Sequence, residues 1–176
     1  MNFINKFKIK ELKKFIRGKK GIIYDIGCSI EIDNILMKEN SNIKIIGTTI
    51  SSSPRYKNIM HDDIVHSKLS NNIANGIICS LVIDHVVDYM EALRQIRRIM
   101  KNNSKGMIIV FNKSLLHVPY MFLQSLGIKI EAEKNYPVCW WFSKLEFKKV
   151  LKESGFVILN IHSIYYDNLL VALVKK

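Results

Sequence analysis

The chain has 176 residues, 48% of them hydrophobic, which is about the length of one domain and enough to bury a core without disulfide or metal support. Its net charge of +12 fits a nucleic-acid or anionic-membrane partner, but the excess is mostly lysine spread along the chain and needs no such partner to explain it. The cysteines, Cys28, Cys79 and Cys139, are far apart and lack CxxC spacing, which argues against a disulfide framework or structural zinc and for a reducing compartment.

Residues 1–20 are predicted to form a basic amphipathic helix. Its apolar stripe consists of Phe3, Ile4, Phe7, Leu12, Phe15 and Ile16. The favoured interpretation is a helix that covers one face of a sheet; the alternative is contact with a membrane surface or an acidic partner. Charges interrupt every apolar run here, so the segment is not a signal peptide, and the run from Ser114 to Ile128 is too short to span a bilayer. We therefore expect a soluble cytoplasmic protein without a transmembrane segment.

Four buried-type strands are predicted in the first half of the chain. They lie at Gly21–Asp25, Lys44–Thr48, Asn58–His61 and Gly76–Ser80, and a short helix at Ile32–Lys38 follows the first of them. The strands are nearly continuous apolar runs, which is typical of parallel strands covered on both faces.

The second half is predicted to add two helices and three strands. A helix over 88–101 begins with a capping-box pattern at Asp88 and Glu91, and a helix over 143–155 begins with another at Ser143 and Glu146. Strands are predicted at 106–111, 156–164 and 169–176, and the tight link between the last two predicts a hairpin.

This alternation of strands and helices predicts a single α/β domain over residues 1–176. We expect a Rossmann-like, doubly wound, seven-stranded and mostly parallel sheet with an antiparallel last strand. On such sheets ligands bind outside the carboxyl ends of the strands, at the point where the strand order reverses. That rule points to the turn after the first strand.

The turn reads YDIGCSIE over residues 24–31. Only Gly27 remains of a G-x-G-x-x-G pattern and no GK[ST] follows, so neither a dinucleotide motif nor a P-loop is present. An acidic residue, Asp25, stands beside the turn. Electrostatics therefore favours a cofactor with a positive amino group over one that carries phosphates.

Seven segments in order carry a family resemblance: IIYDIGCS, IIGTTIS, HDDI, GIICSLVIDHV, EALRQIRRIMK, KGMIIVFN and WFSKLEFKKVLKESGF. Over about residues 20–175 they resemble the class I S-adenosylmethionine-dependent methyltransferases of the small-molecule type, with a degenerate first glycine loop. The resemblance implies S-adenosylmethionine as cofactor and methyl transfer to a small acceptor such as a sugar, a lipid head group or a metabolite hydroxyl.

The resemblance also implies cofactor-binding positions. The methionine end would meet the first turn, the ribose the end of the second strand, and the adenine the segment after the third strand, while the end of the fourth strand would face the cofactor. In that order the residues are Asp25, Gly27, Cys28 and Ser29; Thr49; Asp62, Asp63 and Ile64; and Ser80 and Leu81.

Three positions depart from the family pattern. Family glycines fall at Ser29 and Glu31, whose side chains are expected to narrow the approach, and the ribose-binding acid falls at Thr49. These departures favour an alternative in which the domain is catalytically inactive and acts as a binding partner. A second alternative, an RNA methyltransferase, is favoured only by the net charge.

Asp84 and His85 follow the fourth strand and are the candidate catalytic residues, with His85 as general base for an acceptor hydroxyl. The alternative for His85 is a capping or packing role. The HDDIVH segment does not space His61 and His66 as a helical metal-binding pair would be spaced, so no metal is predicted.

Residues 113–142 form a long, aromatic-rich insertion. Its candidate substrate-contacting residues are Tyr120, Phe122, Tyr136, Trp140 and Trp141. We interpret it as a lid over a bulky apolar or ring-shaped acceptor. A homodimer interface or a membrane-surface patch is the alternative.

Overall fold

The computed structural model describes residues 3–51, 56–114 and 138–176. Seven strands lie in these ranges: β1 (Gly21–Ile26), β2 (Ile43–Thr49), β3 (Ile59–His61), β4 (Ala74–Ser80), β5 (Met100–Phe111), β6 (Val157–Ile164) and β7 (Leu169–Lys175). The described α-helices are α1 (Phe3–Ile16), α2 (Ile30–Glu39), α3 (Tyr89–Ile99) and α4 (Lys144–Glu153), and short 3-10 turns span Ile64–His66 and Ile83–His85.

The strands form one sheet in the order β3-β2-β1-β4-β5-β7-β6. Neighbours from β3 to β5 are parallel, whereas β7 runs antiparallel to both β5 and β6. The predicted fold class, including the antiparallel last strand, is confirmed. Chain order reverses between β1 and β4, so their carboxyl ends form the switch point.

Each face of the sheet carries its own apolar core. On one face α1 and α2 pack Leu12, Ile16 and Leu36 against strand residues such as Ile23. On the other face α3 and α4 contribute a cluster that contains Leu93, Ile96, Phe147 and Leu151. Successive side chains of β1 point to opposite faces of the sheet, so the strand contributes to both cores. Ile23 belongs to the first core and Tyr24 to the second.

Local sequence signals set the helix starts. Ser143 caps α4 through a complete capping box, in which its hydroxyl accepts the Glu146 N–H and the Glu146 carboxylate accepts the Ser143 N–H. Asp88 caps α3 by accepting the Glu91 N–H, but the Glu91 carboxylate accepts from Arg94 and Gln95 instead. The predicted capping box at α3 is therefore only half formed.

Several predicted boundaries differ from the structure by one or two residues, and the start of β5 differs by more. Helix α2 begins at Ile30, two residues before the predicted start, and β5 begins at Met100 in a segment predicted to be helix end and loop. Ala74 pairs with Met100 and Gly76 with Lys105, so residues 101–104 bulge out of register. Asn103 absorbs the bulge with φ of +63°.

Among the described helices, none is both long and apolar enough to cross a bilayer.

Candidate active site

A cavity of about 350 Å³ opens at the carboxyl ends of β1, β2 and β4. It is lined by Ile26, Gly27, Cys28, Thr48, Thr49, Ile50, Asp62, Asp63, Ile64, Leu81, Val82, His85 and Val86. The cavity thus lies at the switch point of the sheet, where the fold class predicts a ligand site.

The turn after β1 owes its shape to Gly27. Its φ is +66°, and a Cβ at this position would collide with the Val82 side chain, so only glycine fits without strain. The N–H of Cys28 donates to the Thr48 carbonyl at 3.0 Å, which ties the turn to β2. A Cβ on Gly47 would collide with the Cys28 side chain, so this second glycine, which the sequence reasoning missed, gives Cys28 its place in the cavity wall.

Ser29 and Glu31 do not line the cavity. Ser29 is the N-cap of α2, with extended backbone, and its carbonyl accepts the Asp33 N–H at 2.9 Å. Glu31 lies in the first turn of α2 and its side chain is exposed. The expectation that Glu31 narrows the site was wrong, because α2 turns this carboxylate toward solvent.

Two buried carboxyl groups meet behind the turn. Asp25 at the end of β1 and Asp33 on α2 are both buried, and Asp33 is near enough to act electrostatically on Asp25. Asp33 is 0% exposed, and among the described residues neither of its oxygens has a hydrogen-bond donor. Burial, followed by the charge of Asp33, raises the pKa of Asp25 well above its ordinary value, and burial raises the pKa of Asp33 to about 6.

Cys28 lines the cavity and is also near both acids. Burial and the nearby carboxyl groups of Asp25 and Asp33 raise the pKa of its thiol to about 12. The thiol therefore stays protonated near neutral pH, which excludes Cys28 as a thiolate nucleophile.

At the end of β2, Thr49 lines the cavity and its Oγ1 accepts the Ser51 N–H at 3.2 Å. The backbone of the next strand is tied to it, because the Asp62 N–H donates to the Thr49 carbonyl at 3.0 Å.

The two neighbouring aspartates in the cavity wall differ in their surroundings. Asp62 is buried and accepts from the Ser67 hydroxyl at 2.7 Å and the Lys68 N–H at 2.9 Å, so both carboxylate oxygens hold the following loop. Asp63 is exposed, and the hydrogen bond it makes within the described residues is at Oδ1, which accepts the Val65 N–H at 3.1 Å. Asp63 is therefore the carboxylate that is free to meet a ligand.

Beyond β4, Leu81 and His85 line the cavity, whereas Ser80 and Asp84 do not. Leu81 holds φ at +56°, an unusual conformation for a leucine, and this places it in the wall. The His85 ring packs edge-on against Phe111, with ring centroids 6.5 Å apart.

Asp84 is 0% exposed and its Oδ1 accepts the Phe111 N–H at 2.9 Å. Burial raises the pKa of its carboxyl group to about 8, because no described cation offsets the charge. Its backbone carbonyl also accepts the N–H groups of Cys139 and Trp140. Asp84 thus joins β4, β5 and the segment before α4.

Two insertion residues lie beside the His85 end of the cavity. Trp140 donates its indole N–H to the Val86 carbonyl at 2.9 Å and packs edge-on against Tyr89, and Trp141 packs on Phe111 with centroids 5.1 Å apart. Tyr120, Phe122 and Tyr136 fall outside the described residues.

The structure therefore brings most of the predicted cofactor positions together. Gly27, Cys28, Thr49, Asp62, Asp63, Ile64 and Leu81 share one cavity with His85. Asp25, Ser29 and Ser80 stand outside its wall. In the ranges that the structure covers, no three His, Cys, Asp or Glu side chains are grouped to hold a metal ion.

A protein family described as "Methyltransferase domain" matches residues 3–161. The chain belongs to this methyltransferase domain family. The matched residues include every wall residue of the cavity, together with α1 and most of the sheet.

One relative and several solved structures are similar to this chain. An uncharacterized protein of Methanocaldococcus jannaschii is 28% identical over 173 residues, which cover 94% of this chain and 70% of the relative. A chain from the complex between the Haloferax volcanii Trm112 methyltransferase activator and a methyltransferase has a TM-score of 0.72 at 10% identity and covers 94% of this chain and 87% of that one.

A phosphoethanolamine N-methyltransferase of Haemonchus contortus, solved with S-adenosyl-L-methionine, also has a TM-score of 0.72, at 11% identity over 96% of this chain and 52% of that chain. These likenesses establish a methyltransferase fold.

Proposed function

We propose that this methyltransferase domain transfers a methyl group from S-adenosylmethionine to a small-molecule acceptor, such as a sugar, a lipid head group or a metabolite hydroxyl. The observation that carries the proposal is the switch-point cavity, with a free carboxylate, Asp63, on one side and an imidazole, His85, on the other. Its volume of about 350 Å³ lies within the usual range for small-molecule sites.

The residues present fit the cofactor. Asp63 offers a carboxylate oxygen for the adenine amino group, and the Thr49 hydroxyl is available to the ribose. The Gly27 turn has no side chain that blocks the methionine end, and the buried acids behind it suit a positively charged ligand. When bound, S-adenosylmethionine supplies a methyl group activated by its sulfonium sulfur.

The chain's own contribution to the reaction is to position the acceptor, exclude water and accept a proton. His85 is the proposed general base, because its imidazole lies in the cavity wall and an imidazole nitrogen can accept a proton from an acceptor hydroxyl. Trp140 and Trp141 close the same end and limit the access of water. Asp84 has no catalytic role in this proposal, because its carboxyl group is buried and accepts the Phe111 N–H.

The acceptor has one competing class. The net charge of +12 favours RNA as a second candidate acceptor. Incubation of the protein with S-adenosylmethionine carrying a labelled methyl group, and with either small hydroxyl compounds or RNA, separates the two. Label on RNA with a steep salt dependence favours the second candidate.

Binding tests the cofactor proposal first. We expect calorimetric titration to detect both S-adenosylmethionine and its demethylated product, and Asp63→Asn to weaken both by about tenfold through loss of one charged hydrogen bond. The matched control is Glu153→Gln, an exposed carboxylate on α4 that is remote from the cavity. No heat at millimolar ligand identifies a catalytically inactive binding domain.

A further inference from the structure

The unusual feature beside the cavity is the acid pair, defined here as Asp25 and Asp33. Both side chains are buried, at 5% and 0% exposure, and Asp33 is near enough to act electrostatically on Asp25. Two buried neighbouring carboxylates repel one another when both are ionised, so the pair favours keeping a proton. The acid pair is therefore a single titrating unit rather than two separate acids.

Few described groups compensate the charge of the acid pair. Neither oxygen of Asp33 has a hydrogen-bond donor among residues 3–51, 56–114 and 138–176. From α1, the half-buried Lys8 is the cation whose charge acts on Asp25. The other titratable neighbours are the thiols of Cys28 and, from β4, Cys79, and both are kept protonated by burial.

The position of the acid pair links it to the cavity. Cys28 lies in the cavity wall, and both carboxyl groups of the acid pair are near enough to act electrostatically on its thiol. In so poorly hydrated a place, charges interact over several ångströms with little screening. A ligand with net positive charge in the cavity therefore favours the ionised acid pair, and a neutral ligand does not.

We propose that Asp33 is a specificity-determining positioning residue, which pairs with Asp25 so that the cavity prefers the positively charged methyl donor over its uncharged demethylated product. The proposal rests on the proposed function, because it takes S-adenosylmethionine as the ligand of the cavity. Asp33 acts through Asp25 and through the electrostatic potential, without touching the reacting methyl group.

The preference of the cavity for the sulfonium compound over the product should increase as the pH rises. At low pH the acid pair is neutral and distinguishes the two ligands weakly. As pH rises through about 6, the pair loses its first proton, gains a negative charge and favours the sulfonium compound. Binding of the sulfonium compound near this pH releases a proton, and binding of the product releases less.

The experiment measures the affinity of the full chain for S-adenosylmethionine and for the product by calorimetry between about pH 5 and pH 7, one unit either side of that ionisation. Two buffers of different ionisation enthalpy report the released proton. We expect the ratio of the two affinities to rise about three- to tenfold over this range. In Asp33→Asn, the amide donates to Asp25 and keeps it ionised, so the ratio becomes flat and the proton release disappears.

Two further variants separate this role from a structural one. Lys8→Gln removes a half-buried cation that favours the ionised pair, so the rise in the ratio should move to higher pH while both ligands still bind. Asp63→Asn changes an exposed residue of the cavity wall. It should weaken the binding of both ligands and leave the pH dependence of the ratio of the two affinities unchanged.

Each outcome has one meaning. A wild-type protein that binds both ligands with a flat ratio and no proton release overturns the role of Asp33 and leaves the proposed function standing. If the ratio of the two affinities still rises with pH in Asp33→Asn as it does in wild type, the role of Asp33 is also overturned and the proposed function still stands. A wild-type protein that binds neither ligand overturns both proposals, and the absence of heat distinguishes this case.

Discussion

Thr49 stands at the end of β2, where the family resemblance implies an acid for the ribose hydroxyls. The side chain lines the cavity and already accepts the Ser51 N–H at 3.2 Å. In Thr49→Asp, one carboxylate oxygen can keep that hydrogen bond while the other faces the cavity. A charged hydrogen bond contributes about 1.5–3 kcal/mol, so even partial success should tighten binding of the demethylated product several-fold.

Calorimetry measures the Thr49→Asp effect, with Thr49→Asn as the neutral control of nearly the same shape. The asparagine variant should bind the product about as tightly as wild type. Unchanged or weaker affinity in the aspartate variant would mean that the ribose does not lie beside position 49.

Asp84 makes a prediction about stability and pH. Burial raises the pKa of this carboxyl group from 3.8 to about 8 in the folded protein, so the native state holds a proton that the unfolded state has lost. The contribution of Asp84 to the free energy of unfolding is therefore full below about pH 4 and declines as pH rises through about 8, by at most about 1.4 kcal/mol per pH unit.

Asp84→Asn should reduce that decline, because the amide oxygen can still accept the Phe111 N–H at 2.9 Å and carries no charge to bury. Urea unfolding at several pH values between about 4 and 8 gives the slope. Asp63→Asn serves as the exposed-carboxylate control, and an equal slope in wild type and Asp84→Asn would show that Asp84 is ionised in the fold.

At the scale of elements, the start of α4 was predictable from local sequence. The Ser143 hydroxyl and Glu146 carboxylate are three residues apart, so their capping box depends on local sequence alone. The start of β5 was not predictable in this way. Residues 101–104 read as a loop, and they extend the strand only because Ala74 of β4 pairs with Met100 across the sheet. Long-range pairing overrides local preference there.

Ser143→Ala tests the local signal. Loss of the hydroxyl leaves the Glu146 N–H without its capping acceptor, so the free energy of unfolding should fall by about 1 kcal/mol in urea denaturation. Ser70→Ala is the matched control, since Ser70 is exposed and lies outside any helix or strand, and its effect should stay within about 0.5 kcal/mol. Equal effects of the two substitutions would contradict a stabilising cap.

At the scale of the whole molecule, the place of the cavity was predictable from the fold class. Gly27, Thr49, Asp63 and His85 follow strand ends, and parallel strands bring those ends to one edge. The surroundings of individual aspartates were not predictable, because they depend on contacts with residues elsewhere in the chain.

Asp62 and Asp63 differ because the loop at Ser67 and Lys68 folds back on only one of them. The burial of Asp33 was not predicted. It depends on the rotation of α2 against β1, and no local pattern in the sequence specifies that rotation.

The two cores share one sheet, and this makes a prediction about the role of α1. Leu12 of α1 and Leu151 of α4 are buried on opposite faces, at 1% and 0% exposure. If α1 is part of the folded core, Leu12→Ala should lower the free energy of unfolding by about 2–5 kcal/mol, as Leu151→Ala should. A helix reserved for a membrane surface would tolerate Leu12→Ala without loss of stability.

The double variant then reports on cooperativity. Because the leucines touch no common side chain across the sheet, their effects should add to within about 0.5 kcal/mol, and circular dichroism and fluorescence should give one coincident urea transition. Lys10→Ala, on the exposed side of α1, controls for changes in helix propensity. Two separate transitions would mean that α1 and its core unfold independently of the sheet. The acid pair would then lose Lys8 before the cavity itself unfolds, since Lys8 belongs to the same helix.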